Sequence, residues 1–236
     1  MKFIPALILG IAAIVAASLI GDGLIDLRTG DRYVTVKGLA EREVQADIAL
    51  WPLHFVASGS TLQQARDDAR ASREAILAFL ARHGIADDQV ELQRLNVNDT
   101  SANPYRSGDV EQTFIISQTL TVRSTEIERI RDTAQAVGEL LDAGVVLSSD
   151  YGPGGPLYLF SGLNAIKPAM IAEATAAARE AAEQFARDAN ADVGELRRAN
   201  QGVFEIRARD QAAGIAEEQQ PVKTVRVVTT VEYYLR

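Results

Sequence analysis

The sequence predicts an α+β fold, a mostly antiparallel sheet packed with three helices, behind an N-terminal transmembrane anchor. Three observations carry this reading. An uncharged apolar run fills Phe3 to Ile20, segments alternating every second residue recur after it, and three stretches place apolar residues at helical spacing.

Eighteen residues at about 1.5 Å each give roughly 27 Å of helix, close to the hydrocarbon thickness of a bilayer. Phe3, Leu7, Ile11, Val15 and Ile20 sample that run from end to end. Lys2 precedes it and Asp22 and Asp26 follow it, which favours an N-terminus inside and the remaining chain outside the cytoplasm. The competing reading is a cleaved signal peptide, for which Ala16-Ala17-Ser18 supplies small residues. Leu19 and Ile20 continue the apolar run past that point. Under either reading residues 1–20 export the chain, 21–32 form a polar tether, and 33–236 form the exported domain. The expected location is the periplasm, on the inner membrane.

The chain carries 24 basic and 32 acidic residues, a net charge of −8. Such a surface repels nucleic acid and anionic headgroups, and no basic stripe reverses this locally, so no nucleic-acid partner is expected. The absence of cysteine excludes disulfides, thiol nucleophiles and thiolate metal sites.

Tyr33 to Lys37 alternates as a half-buried strand does. Ile48 to Ala57 is apolar at both parities, which predicts a strand covered on both faces, with Pro52 marking an edge or bulge. Thr61-x-x-Gln64 has the form of a capping box before a helix carrying Leu62, Ala65, Ala69, Ile76, Phe79 and Leu80, and Gly84 is its stop. Val90 to Val97 predicts a strand and Asn98 to Gln112 a loop. Thr113 to Arg123 alternates, with Phe114, Ile116, Leu120 and Val122 on one face. Thr125-x-x-Glu128 opens a second helix with Ile127, Ile130, Ala134, Val137 and Leu141, ending before Gly144; a short strand over 145–149 follows.

Gly152 to Pro156 breaks regular structure, and 157–160 resumes it. The third helix is expected over 164–190, with the stripe Ile166, Met170, Ala174, Ala177, Ala181, Phe185 and Ala189. Pro168 is tolerable there within the first turn. Strands over 203–208 and 223–235 close the chain, with 210–220 polar and flexible between them. Ala81-Arg-His-Gly-Ile85 and Leu141-Asp-Ala-Gly-Val145 occupy matching places, which suggests repeated β-β-α-β-like units.

Signatures of chemistry are weak. Two histidines, His54 in a strand and His83 at a helix end, do not make a zinc site, and His83 suits a helix C-terminus as a cation. No Gly-x-Ser-x-Gly elbow is present, and the Gly152 to Gly155 loop lacks the Lys-Ser/Thr of a phosphate cradle. Asp87-Asp88 and Glu217-Glu218 read as solvated surface acids. Asp47 stands where a turn-forming aspartate caps its own backbone. No catalytic, cofactor-binding or metal-ligating residue is assigned, and the chain is expected not to be an enzyme and to use no cofactor.

In their order, these local patterns resemble the SIMPL-domain family of bacterial envelope proteins. The resemblance rests on Val36-Lys-Gly38-Leu-Ala40, Val44-Gln-Ala-Asp47-Ile-Ala49, Ala65, His83-Gly84-Ile85, Ala143-Gly144-Val145, the Ala-rich third helix (Ala174, Ala178, Ala181, Ala186) and the alternating final strand, and covers roughly 33–236. Gly38, Asp47, Gly84 and Gly144 are the positions carrying the family pattern in structural roles. Ala46 departs from it, since the family commonly has Pro there, which loosens the turn. The resemblance implies an extracytoplasmic α+β domain linked to stress tolerance, with ring-like homo-oligomers among some members and no catalytic residues to carry over.

The expected function is therefore a membrane-tethered periplasmic scaffold or binding module that homo-oligomerises and contributes to envelope integrity or stress tolerance, with an envelope partner left open. Exposed strand edges, such as the Pro52 strand or the C-terminal strand, are the expected sites of self-association. The alternatives are a small-ligand binder with a pocket around Asn103-Pro-Tyr105 and Tyr151 to Tyr158, and, more remotely, a hydrolase built on Asp47 and nearby carboxylates.

Overall fold

The structure, a computed structural model, describes residues 32–100, 113–148 and 154–236. The anchor positions Phe3, Leu7, Ile11, Val15 and Ile20 lie outside the described residues, as do Asn103, Tyr105 and Tyr151. Among the described residues no helix is long and apolar enough to cross a membrane.

The described chain holds eight strands and four helices: β1 (Tyr33–Gln45), β2 (Ile48–Gly59), α1 (Leu62–Arg82), β3 (Val90–Asp99), β4 (Phe114–Ser124), α2 (Ile127–Gln135), α3 (Gly138–Asp142), β5 (Leu157–Leu159), α4 (Leu163–Asp188), β6 (Val193–Gln201), β7 (Glu205–Ala208) and β8 (Val222–Leu235). Two four-stranded sheets result. One runs β1-β8-β6, with β7 also on β8, and the other runs β3-β4-β2-β5. β4 pairs antiparallel with β2 and β3, β2 with β5, and β6 with β8. The fold is thus α+β and mostly antiparallel. The chain divides into two compact units, one made of the chain up to Arg42, Ile166–Glu205 and Arg226–Arg236, the other of Glu43–Ala165 and Ile206–Val225.

In the second unit the odd-numbered residues of β2 (Ala49, Trp51, Leu53, Phe55) are buried, and α1 meets them with Ile76, Phe79 and Leu80. Trp51 and Phe79 pack edge to face, with ring centroids 6.5 Å apart. The even-numbered residues of β2 are only half-buried, so its second face is not sealed as its composition predicts; apolar content alone does not reveal which layer covers it. Pro52 has the same parity as the peptide groups that turn away from β4, since Val56 N donates to Val146 O and Ser148 N to His54 O. It falls between the β5 pairing at 48–50 and these bonds, where no ladder donor is required.

The first helix is capped by Thr61 Oγ1, which accepts from Gln64 N at 3.2 Å, while Gln64 Oε1 accepts from Ser60 N at 3.2 Å. The second predicted helix is two helices. Its N-cap is Glu126, held by Ser124 Oγ rather than by Thr125. The chain breaks at Ala136–Val137, and the restart at Gly138 turns Leu140 inward and leaves Leu141 63% exposed. Residues 145–148 make one isolated bridge, Phe55 to Leu147, rather than a strand.

Three helix ends share one device. Ile85 N donates to Leu80 O and Gly84 N to Ala81 O; Val145 N donates to Leu140 O and Gly144 N to Leu141 O; Ala191 N donates to Ala186 O and Asn190 N to Arg187 O. These are Schellman motifs, and Gly84 (φ 78°), Gly144 (φ 81°) and Asn190 (φ 51°) supply the left-handed residue. The local likeness of the segments at 81–85 and 141–145 is this motif. The order of elements around them is alike, β1-β2-α1-β3 and β3-β4-α2-α3-β5, with the second helical segment broken in two and the last strand of the second series only three residues long.

In the first unit α4 buries Met170, Ala174, Ala178, Ala182 and Ala186, a row at i+4 spacing, whereas Phe185 is 60% exposed. The row differs from the predicted stripe because a ridge of fourth neighbours, not a 3.6-residue average, meets the sheet. Pro168 is the sixth residue of α4, in its second turn rather than its first, and it removes the ladder donor to the carbonyl of residue 164 alone. The strand β6 was not foreseen, because its Glu-Leu-Arg-Arg core is exposed on both faces and shows no alternation. Arg197 on β6 lies 3.9 Å above the Tyr33 ring and pairs with Glu232 at 3.2 Å.

Gly38 sets the distance between β1 and α4. A Cβ there would lie 1.8 Å from Ala174 O and 2.5 Å from Ala178 N, both backbone atoms that cannot swing aside. Gly38→Ala is expected to lower stability by about 3 kcal/mol, the upper range for overpacked cores, seen as a depressed thermal midpoint in circular dichroism. Leu39→Ala, on the exposed face of the same strand, should stay within about 0.5 kcal/mol of the parent.

Candidate functional site

Asp47 begins where β1 ends and β2 has not started. Its Oδ1 accepts from Ser161 N at 2.8 Å and its Oδ2 from Ser161 Oγ at 2.9 Å, while Asp47 N donates to Leu159 O at 2.9 Å and Ala46 N to Pro221 O at 2.7 Å. Asp47 therefore does not cap its own turn. It staples the 160–162 segment to the β1–β2 corner, with both carboxylate oxygens on one residue.

His54 Nδ1 lies 2.8 Å from Thr119 Oγ1 across the β2–β4 pair. His83 is the C-cap of α1, with its N–H shared between Phe79 O and Leu80 O. Its ring packs on Phe79 at 4.7 Å, and its Nε2 lies 3.3 Å from Glu139 Oε1. The Arg82 guanidinium beside Glu139, followed by His83, holds that carboxyl below its ordinary value of 4.5. The two histidines are thus not brought together, and among the described residues no three His, Cys, Asp or Glu side chains gather as a metal site. Asp87 and Asp88 form the first turn of a 3-10 helix.

Glu217 is drawn into the structure by a residue that the sequence reading passed over. Lys223 is fully buried, its Nζ donating to Glu217 O at 2.8 Å and pairing with the Glu217 carboxylate. The signal was present: Lys223 shares the inward parity of Val225, Val227 and Val231 on β8. The 210–220 segment is accordingly not a free loop. Asp210 N donates to Gln220 Oε1 and Gln220 Nε2 to Asp210 O, closing its neck, and a 3-10 turn over Glu217–Gln219 ends it.

The second unit carries concavities among its described residues. An open cleft of about 860 Å³ is bordered by His83, Thr125, Arg129 and Asp132. Several of its polar groups are engaged, with Arg129 on Glu126 at 2.6 Å and on Gly84 O at 3.2 Å, and Thr133 Oγ1 on Arg129 O. A smaller recess of about 230 Å³ is lined by Trp51, Arg131, Val137, Pro156 and Tyr158. Burial pushes the Tyr158 phenol up from its ordinary range.

The free strand edges differ from those expected. Both β2 and β8 lie inside their sheets, so the Pro52 strand and the C-terminal strand are not the open ones; sheet order is a tertiary fact that a strand's own residues do not encode. Among the described residues the edges are β1, β6, β7, β3 and β5. Every residue of β3 after Val90 is exposed, with Leu92 at 45%, Leu95 at 58% and Val97 at 48%. Register places Leu92 beside Leu120, Leu95 beside Gln118 and Val97 beside Ile116, on the face that α1 covers over β2 and β4. The helix stops short of β3.

The family model of SIMPL, a protein of unknown function (DUF541), matches residues 34–233. The chain belongs to the SIMPL family. No curated protein matches it. The SIMPL match spans both compact units, and it takes in Gly38, Asp47, Gly84 and Gly144, whose roles in this chain are a close approach, a corner staple and two helix ends.

Four substitutions test the Asp47 staple and the Lys223–Glu217 pair. Asp47→Ala is expected to lose about 1–2 kcal/mol through the two Ser161 bonds, read by denaturant unfolding, and Asp47→Asn less, because it keeps one acceptor. Glu217→Ala should lose about 3 kcal/mol by stranding a buried ammonium, whereas Lys223→Met should be close to neutral.

Proposed function

We propose that this SIMPL chain is a non-enzymatic, membrane-tethered periplasmic scaffold or binding module that self-associates and supports envelope integrity or stress tolerance. The observation that carries the reading is β3, a ten-residue edge strand exposed on both faces, which invites pairing with another chain. The apolar run from Phe3 to Ile20 and the net charge of −8 support an exported, tethered domain. Polar clusters in the second unit are tied into the fold by neighbouring side chains and carbonyls, which favours structural over catalytic roles.

A second reading, small-ligand binding, draws on the recess at Trp51, Arg131 and Tyr158, which contains the Gly154 to Tyr158 part of the expected pocket. Its volume is below the roughly 300–1,000 Å³ of ordinary ligand pockets, so it ranks second.

Alkaline phosphatase fused at the C-terminus is expected to be active in intact cells; activity of only a cytosol-specific reporter would sink the assigned address. Light scattering of the detergent-solubilised full chain should give a mass above one protomer. A strict monomer at high micromolar concentration would remove self-association.

A further inference from the structure

The peptide groups of β3 fix which residues face outward from the sheet. The bonds of His54 O and Val56 N turn the even-numbered β2 groups away from β4, so the odd-numbered ones bond to Leu120, Gln118 and Ile116 through the observed register. The intervening β4 residues, Thr121, Thr119, Ser117 and Ile115, then serve Glu91, Arg94, Asn96 and Asn98. Leu92, Leu95 and Val97 are left with N–H and C=O pointing outward from the sheet edge, and their side chains project from the face beyond α1.

The other four edges are guarded, β7 by its length of four residues. β5 has three residues. β6 carries Glu195, Arg197 and Arg198 and two register shifts. β1 carries Lys37, Glu41, Arg42 and Glu43. Charges, bulges and shortness are the usual protections of an edge. β3 also carries Glu91, Arg94 and Asp99, the last on the same face opposite Phe114, but the row Leu92, Leu95, Val97 before it holds no charge, and the single shift lies at Leu92/Arg94.

We propose that β3 is the pairing edge of a two-fold dimer, in which β3 of a second copy adds antiparallel and joins two four-stranded sheets into one of eight strands. This rests on the self-associating reading above and names its surface. An antiparallel two-fold centred on Asn96 sets Leu95 of each copy opposite Val97 of the other, both with outward peptide groups, and gives four new backbone bonds. Arg94 then faces Asn98 and Asp99 faces Gln93, so no like charges meet. A two-fold centred on Leu95 would oppose Asp99 to Glu91, which disfavours it. The apolar row of each copy becomes the middle of a continuous layer, with an α1 on either side. The strand is its own complement, and a tethered population raises its local concentration, so the partner is a second copy rather than a foreign peptide.

The chain lacks cysteine, so one substitution supplies the only thiol. Asn96→Cys sits on the two-fold axis in a non-hydrogen-bonded pair, with Cα atoms about 4.5 Å apart. In native membranes holding the full chain, a short bismaleimide should convert this variant to a covalent dimer, with Asn200→Cys on β6 giving a tenth or less. Adding Val97→Lys or Leu95→Glu, both at exposed positions, should lower the Asn96→Cys yield at least tenfold with the circular dichroism unchanged. Equal yields at both sites, insensitivity to both charges, or capture of a different envelope protein at Asn96→Cys would overturn the assignment. Crosslinking that shifts to Asn200→Cys overturns the edge and leaves self-association standing. No crosslink at either site, together with a monomeric mass, overturns both. The maleimide reads proximity in either compartment, so an error of address shows only in the phosphatase reporter.

Discussion

A helix with its side chains is about 10 Å across, and neighbouring strands lie about 4.8 Å apart, so one helix roofs two strands. That limit governs both sheets. In the second unit α1 seals β2 and β4 through Phe79, Leu80 and Ile76, and β3 lies past its reach. In the first unit α4 seals inward residues of β1 and β8, Val36, Val231 and Tyr233, and β6 is bare along most of its length. Each four-stranded sheet thus ends in a strand with water on both faces. The two bare strands differ in chemistry: β6 is charged and bulged, and β3 carries leucine and valine where the core layer would continue.

How closely each helix can approach is decided by small groups. Gly38 admits the backbone of α4, and the row of alanines from Ala174 to Ala186 keeps that helix narrow. In the second unit the spacing is filled instead by aromatic bulk, with Trp51 and Phe79 in edge contact. Polar residues do mechanical work in the same unit. Asp47 gathers the 160–162 segment, and Lys223 anchors the turn at Glu217. These are closures of loops, and they explain why residues that resemble chemistry in the sequence make no converging cluster.

Local signals in the chain were legible. Alternation located β1, β4 and β8, and Gly84 and Gly144 located two helix ends to the residue. What failed was information held by neighbours. The break at Ala136 depends on how α2 and α3 each bury a side, so the run from Ile127 to Leu141 read as one helix. The polar strand β6 exists because β8 offers it a ladder, not because its residues alternate. Strand order, and with it the identity of the open edges, is written in no single segment. The candidate surface was therefore missed, although Leu92, Leu95 and Val97 lay within a predicted strand.

The knotted neck at Asp210 and Gln220 has a practical corollary. The two ends hold each other by a reciprocal amide pair, and Lys223 of β8 holds the segment only at Glu217, near its far end. The stretch around Gly214, open enough that no atom lies within 4 Å of an added Cβ, is thus a natural graft point, where an epitope or fluorophore can be spliced in and the sheets will not feel it.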